Sequence, residues 1–408
     1  MWGATGYTGR LLAAAMAQSA PAGFRWALAG RDRVRLEALR RELGCDAEVL
    51  LAEAHDQVSL VALARRTRVV ASTVGPYAQH GTKLVAACLE AGSDYADLTG
   101  EVLWMRRCVD AFDAPARANG VRLVHACGFD SVPSDLGLWL LQRTALERHG
   151  RPCRRVMHVF GPMSGGVSGG TVASGMTLLA EAADDPGARR ALADPDLLVP
   201  GAAPSPHARE PWWPQRAPGL GHWTAPFPMA AVNTRVVRRT RALLGEPWGH
   251  DVRYRERLRV PSWPLAALVG IGVSVVPLML ANGLLRRWLR RWLPRPGEGP
   301  QATALARGFF RTTVIGEVDG VRERVLVRVT SDLDPGYGAT VRMLREVCML
   351  LALGESDAAG GVLTPASLGA ARLLERLDAA GIHVGVVPSE DGSASPRDAA
   401  AAHARAVG

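Results

Sequence analysis

The sequence predicts an α/β chain: a doubly wound parallel sheet of Rossmann type over residues 1–127, then a second, α+β domain with a mixed sheet over 128–388. Three observations carry this. Short apolar runs alternate with helical ones through about the first 125 residues, the pattern of strands crossing over through helices. Three glycines spaced by three, Gly3, Gly6 and Gly9, stand before the Ala-rich run 11–18. From about residue 151 the alternation gives way to longer β-rich stretches.

The bulk properties narrow the classes. A chain of 408 residues suits two or three domains, and 48% hydrophobic with 21% charged residues marks it as folded. The formal charge is +9, yet Lys83 is the only lysine, so the positive charge is carried by arginine. Arginine forks onto phosphate, which points to anionic partners such as a nucleotide, a phosphopantetheine arm or lipid headgroups; a GC-rich genome yields the same bias. There is no basic stripe with interleaved aromatics, so no nucleic-acid partner is expected. Six cysteines stand without a CxxC or a histidine at metal spacing, and no signal-peptide pattern opens the chain. A reducing, cytoplasmic setting and no metal follow.

Taken in order, the opening Gly3-Ala4-Thr5-Gly6-Tyr7-Thr8-Gly9-Arg10 reads as a phosphate cradle, because residues without β-carbons let backbone N–H groups approach a pyrophosphate at a helix N-terminus. A purely structural glycine turn has the same signature. Only Met1 and Trp2 precede it, so the central strand that such a fold requires is expected to be truncated. Residues 25–31 form a buried strand ending in Gly30-Arg31, and 32–43 an amphipathic helix with Leu36, Leu39 and Leu43 on one face. Arginine at that strand end accommodates a 2′-phosphate where an acidic residue would hold a free ribose, so Arg31 argues for NADP(H), with Arg33 or Arg35 as helpers. A strand at 49–51 and a helix at 59–65 lead to the apolar run 68–74, which breaks into Gly75-Pro76-Tyr77. Ligands bind at such carboxyl edges, so the nicotinamide side is placed there. The expected cofactor residues are Gly3, Thr5, Gly6, Tyr7, Thr8, Gly9, Arg31, Thr73, Gly75 and Pro76. Helix 81–91, strand 95–98, helix 101–119 and strand 121–125 complete the unit, and a polar loop, 126–135, precedes an apolar helix over 136–142.

In the second domain, 156–160, 312–318 and 324–329 read as strands, the last two as a hairpin around Asp319-Gly320. Residues 184–222, rich in Pro, Gly and Ala, read as an irregular insertion, and 389–408 as a disordered tail. No charged residue occurs from Ser262 to Leu285, a length that can span a bilayer, although Pro264, Pro277, Gly270 and Gly272 oppose it. Leu285, Trp288, Leu289 and Trp292 then follow at helical spacing, with arginines on much of the remaining surface. The segment 262–293 is therefore expected to contact a membrane surface, a buried hairpin or a subunit interface being the alternative.

The motifs GATGYTGR, ALAGR, STVGPYAQHG, DYADLTGE and HACGFDSVPSDLG, continued by GGTVASG, APFPMAAVNTRVVRRT, DPGYGATVRMLREV and GGVLTPASLGAARLLERLDAAGI, together resemble the saccharopine dehydrogenase-like oxidoreductases. The likeness extends over almost the whole chain and is narrowest to their actinobacterial branch of trans-acting enoyl reductases. It implies a carrier-bound or lipid-like acyl thioester as substrate, a polyketide synthase served in trans for polyketide or glycolipid synthesis, and attachment to the cytoplasmic side of the plasma membrane. A homodimer is a further option. Enoyl reduction needs a hydride, a stabilised enolate and one proton donor. Tyr77, His125, Asp130 and Tyr337 are the donor candidates, with Tyr77 and Asp130 leading by position. Tyr77 as a mere pocket wall and Asp130 as a turn or helix cap are the alternatives. His125 reads more readily as a bonded structural histidine and Cys127 as a packed residue, while Arg238 and Arg239 meet either a carrier phosphate or solvent. Reductive imine chemistry on an amino acid, and a non-catalytic membrane-tethered scaffold that binds NADP(H), are the competing functions.

Overall fold

The computed structural model describes residues 1–165, 175, 178, 180–202, 211–245, 247–281, 305 and 307–388. Most of the GGTVASG stretch, the Trp/Leu helix expected over 285–292 and the tail 389–408 lie outside the described residues.

The first sheet is parallel. Its strands are β1 (Ala27–Gly30), β2 (Glu48–Leu51), β3 (Val69–Ser72), β4 (Asp94–Asp97), β5 (Arg122–Val124) and, from far along the chain, Gly361–Leu363. Helices α1 (Tyr7–Ser19), α2 (Arg33–Leu43), α3 (Gln57–Ala64), α4 (Tyr77–His80), α5 (Thr82–Ala91) and α6 (Val102–Asn119) connect them. Local signals set these boundaries: Asp32 caps α2 by accepting the Arg35 N–H, Leu36 and Leu39 face inward, and Gly44 ends the helix at φ 56°, where a side chain would be strained.

The central strand is represented by Met1–Gly3. Trp2 bridges β1 on one side and β3 on the other: its N–H donates to the Ala71 carbonyl (2.7 Å), its carbonyl accepts from Thr73 N (3.1 Å), and Ala29 N donates to Met1 O (2.9 Å). The spatial order β2, β1, Trp2, β3, β4, β5 is the doubly wound order, with its reversal between Trp2 and β3.

The second sheet has seven strands in the order His383–Val387, Val325–Ser331, Phe309–Glu317, Arg155–Ser164, Arg253–Val260, Trp223–Pro226, Gln215–Arg216. It is mixed, the Arg155–Ser164 and Arg253–Val260 pair being parallel and the others antiparallel. The hairpin expected around Asp319-Gly320 is present. Helix α7 (Val132–His149), longer than the expected 136–142, packs on this sheet so closely that a β-carbon on Gly137 would lie 2.9 Å from Val314. The insertion expected to be irregular over 184–222 contains the helix Pro186–Ala193, capped by Asp185.

A cut at 127/128 does not separate the two sheets. Gly361–Leu363 pairs with β5, and the helix Thr340–Ala352 sends Val341, Leu344, Val347 and Leu351 into a cluster shared with Leu12, Ala71, Ala96 and Val124 of the first sheet. The same cluster takes in Phe129, Phe160 and Phe310, so one apolar core continues across both layers. Within the expected membrane-contact segment, Trp263–Ala281 is a helix. No helix among the described residues is long and apolar enough to cross a membrane.

Candidate active site

A cleft of about 520 Å³ opens at the reversal point, at the carboxyl edge of the parallel strands. Gly3, Thr5, Gly6, Tyr7 and Thr8 line one wall; Arg31, Thr73, Gly75 and Pro76 line others. Nine of the ten residues expected around a cofactor thus share one surface. The tenth, Gly9, lies behind them: a β-carbon there would stand 2.1 Å from the Gly3 carbonyl oxygen. Gly3 itself has φ 83°, and its β-carbon would meet Val74 at 2.5 Å. The turn therefore exists only with glycine at both ends, and it delivers the N-terminus of α1, which no side chain caps, to the cleft floor.

The adenosine side carries positive charge. Arg31 makes no hydrogen bond or ion pair to a side chain among the described residues, so its guanidinium is available to a ligand phosphate. Arg33 and Arg35 are exposed and line no part of the cleft. Two residues that the sequence reading passed over stand here instead. His55, from the loop after β2, and His80, at the end of α4, face each other with ring centroids 5.3 Å apart. Burial, then His55, then Arg31 hold the His80 imidazole below its usual pKa, against a weaker opposing pull from Glu101. These residues fit the phosphate-bearing end of NADP(H).

We expect Arg31→Ala to weaken NADPH binding at least tenfold and NADH binding less than twofold, measured by fluorescence titration. Equal losses would remove Arg31 from the 2′-phosphate. A phosphate beside His80 would favour its protonated form, so binding takes up protons between its lowered free pKa and its raised bound one. NADPH affinity should therefore rise as pH falls from 8 to 6, while NADH affinity changes less; the Glu53, His55, Glu101 and Lys83 groups nearby are common to both titrations. Parallel pH profiles would exclude His80 from phosphate binding.

The loop after β3 is fixed from outside the cleft. The Gly75–Pro76 peptide is cis, and the buried Glu101 carboxylate accepts the N–H groups of Tyr77 (2.9 Å) and Ala78 (2.8 Å), capping α4. This contact has no signature in the sequence, because a carboxylate acting on a loop 23 residues earlier leaves no local signal.

The proton-donor candidates divide. Tyr77 turns away from the cleft: its ring stacks on Trp104 with centroids 5.6 Å apart, and its hydroxyl donates to Ser72 O (3.2 Å) and accepts from Leu98 N (3.3 Å). It is buried in the core, away from the residues that line the cleft. His125 is buried beside Asp97, Nδ1 to carboxylate 2.8 Å; burial opposes its charge, but Asp97 overcomes this and raises its pKa to about 10. Cys127 is buried, its thiol pushed well up by burial. Asp130 is half-buried on the loop after β5 and does not line the cleft, although enough protein surrounds its carboxyl to push it up to about 6. Tyr337 alone of the four lines the cleft, its ring meeting that of Tyr7 edge-on at 4.8 Å. Burial, then Asp334, raise the Tyr7 phenol.

Arg238 and Arg239 are turned into the protein and bonded there. Arg239 is buried and donates to Val362 O (2.7 Å), Leu198 O (2.9 Å) and Asp113 (2.7 Å), while Arg238 faces Pro195 O and Asp196. No group of three or more His, Cys, Asp or Glu able to hold a metal occurs among the described residues.

A glycine cradle at the reversal of a doubly wound sheet, with an arginine at the next strand end, defines an NAD(P)-dependent oxidoreductase. Residues 1–124 match the saccharopine dehydrogenase NADP binding domain family. The chain is 43% identical over 406 residues to a provisionally named trans-acting enoyl reductase of Mycobacterium tuberculosis, covering 94% of this chain and 95% of that one. It is 38% identical over 408 residues to the trans-acting enoyl reductase of Mycobacterium bovis, covering 94% and 96%. It belongs to the trans-acting enoyl reductase family, within the saccharopine dehydrogenase-like oxidoreductases, and its cofactor is NADP(H). In fold it is similar to apo saccharopine dehydrogenase (L-Glu forming) of Saccharomyces cerevisiae, at 13% identity and TM-score 0.52, covering 95% of this chain and 98% of that one.

Proposed function

We propose that this protein saturates the enoyl thioester of a carrier-bound acyl chain, acting in trans with a polyketide synthase. The observation that carries the reading is likeness to named trans-acting enoyl reductases along nearly the full length of both chains. Bound NADPH supplies the hydride that the enoyl β-carbon requires. The chain's own part is to hold the cofactor phosphates on the glycine turn and Arg31, and to deliver one proton to the α-carbon. Tyr337 is the proposed donor, since it lines the cleft where the chain returns from the second sheet, beside Tyr7 of the glycine turn. Asp130, whose raised pKa keeps a fraction of it protonated near neutral pH, is the second candidate. Glu101 acts as a positioning residue through the 75–78 backbone. The reading includes a location on the cytoplasmic face of the plasma membrane, supported by the apolar helix Trp263–Ala281.

The test is NADPH oxidation with an enoyl thioester on a carrier protein, run beside a 2-oxo acid with an amine. Turnover of the thioester alone is expected. Turnover of the imine mixture alone would replace the proposal by amino-acid chemistry, and cofactor binding without either would favour the scaffold.

A further inference from the structure

Among the described residues, the helix Trp263–Ala281 is seated by one face. Ala266 is buried with Ala225 and Val260 of the second sheet, and Gly270 packs on the Trp212 backbone, where a β-carbon would stand 2.3 Å from the carbonyl oxygen. On the outer side Leu268, Ile271, Val275 and Met279 follow at spacings of three, four and four, which puts them in one stripe, with exposures of 65, 50, 41 and 47%. The outer face of a soluble helix is ordinarily polar. Here Ser274 is the polar exception, and its hydroxyl turns back to the Gly270 carbonyl at 2.9 Å.

Three tryptophans nearby are half-exposed: Trp212 and Trp213, in the segment on which Gly270 packs, and Trp263, at the start of the helix. The loop bearing the first two is pinned by Arg257, wholly buried, whose guanidinium donates to Pro211 O (2.6 Å), Trp213 O (2.8 Å) and Thr224 O (3.0 Å). A buried cation thus holds a pair of indoles at the surface beside an apolar stripe. Along this part of the chain the charge has one sign: residues 258–297 contain no Asp or Glu and six Arg, and Arg216 and Arg259 are exposed on the sheet that carries the helix.

We propose that Trp212, Trp213, Trp263 and the 268–279 stripe form a docking surface for an anionic lipid bilayer, with the helix lying along the interface. Indoles concentrate at the membrane–water boundary, and apolar faces rimmed by arginine are held there by area and by attraction to anionic headgroups. A second copy would bring together the same arginine-rich, acid-free stretches of two +9 chains, so charge favours lipid over self-association. This inference rests on the membrane location included in the proposed function and deepens it, and it is independent of the reaction at the cleft.

The experiment is flotation of the full chain with vesicles of phosphatidylcholine, alone or with one-quarter phosphatidylglycerol. Co-flotation with the anionic vesicles is expected, at least tenfold weaker for Leu268→Asp/Ile271→Asp and weakened also for Trp213→Ala, each with unchanged NADPH affinity as the check on folding. Should the double variant misfold, Trp213→Ala decides. Failure of the wild type to float with anionic vesicles, or equal flotation of the folded variants, overturns the proposal. So does a concentration-dependent dimer in light scattering that Leu268→Asp/Ile271→Asp abolishes while vesicle binding persists.

Discussion

Gly9→Ala should weaken NADPH binding by at least 100-fold, about 2.7 kcal/mol at 25 °C. The added carbon would lie 2.1 Å from Gly3 O, 2.8 Å from Gly3 C and 2.9 Å from Ala4 Cα, all backbone atoms with no flexible end to give way. Helix α1 would have to move off the turn, taking the N–H groups of its first residues out of register with the phosphates. Fluorescence titration measures the loss, and circular dichroism tests whether the fold remains. Gly272→Ala is the matched control: its β-carbon meets nothing within 4 Å, so it should leave affinity unchanged and stabilise its helix by up to ~1 kcal/mol. A Kd within twofold of wild type for Gly9→Ala would show that the glycine turn does not hold the cofactor.

Tyr337→Phe carries the second large effect. Loss of a general acid typically costs 10²–10⁴-fold in rate, so kcat on the enoyl thioester should fall about 100-fold with NADPH affinity unchanged. Tyr77→Phe provides the contrast. Its hydroxyl joins Ser72 O to Leu98 N inside the protein, so its removal should cost roughly 1–2 kcal/mol in denaturant unfolding and leave kcat within a few fold. If Asp130→Asn lowers kcat by 100-fold while Tyr337→Phe does not, the donor is Asp130.

These two tyrosines show what a sequence can convey. The glycine turn and Arg31 were legible because a phosphate cradle is local: the residues, their spacing and the following helix lie within one segment, and the next strand end is a fixed distance on. Tyr77 follows a cleft loop directly, and nothing in the run Gly-Pro-Tyr indicates whether the ring enters the cleft or the core; packing on Trp104 decides that, and Trp104 is 27 residues away. Tyr337 reaches the cleft only because the chain returns from the second sheet. The same holds for His55 and His80, ordinary singly but adjacent once α3 and α4 are in place. Gly361–Leu363 is too short to show any period, and its identity as a sheet strand depends on β5, more than 230 residues earlier.

That late strand has a consequence for how the molecule is made. As the chain leaves the ribosome, the parallel sheet has its cradle and five partners long before Gly361–Leu363 emerges, and until then the β5 edge is unpaired and the face later covered by Thr340–Ala352 is bare. The nucleotide fold cannot finish as an independent unit, so the two sheets should melt in a single calorimetric transition. Synthesis stalled or cleaved anywhere between 128 and 340 would leave an adhesive edge rather than a working domain, and quality control would meet this protein as one late-closing whole.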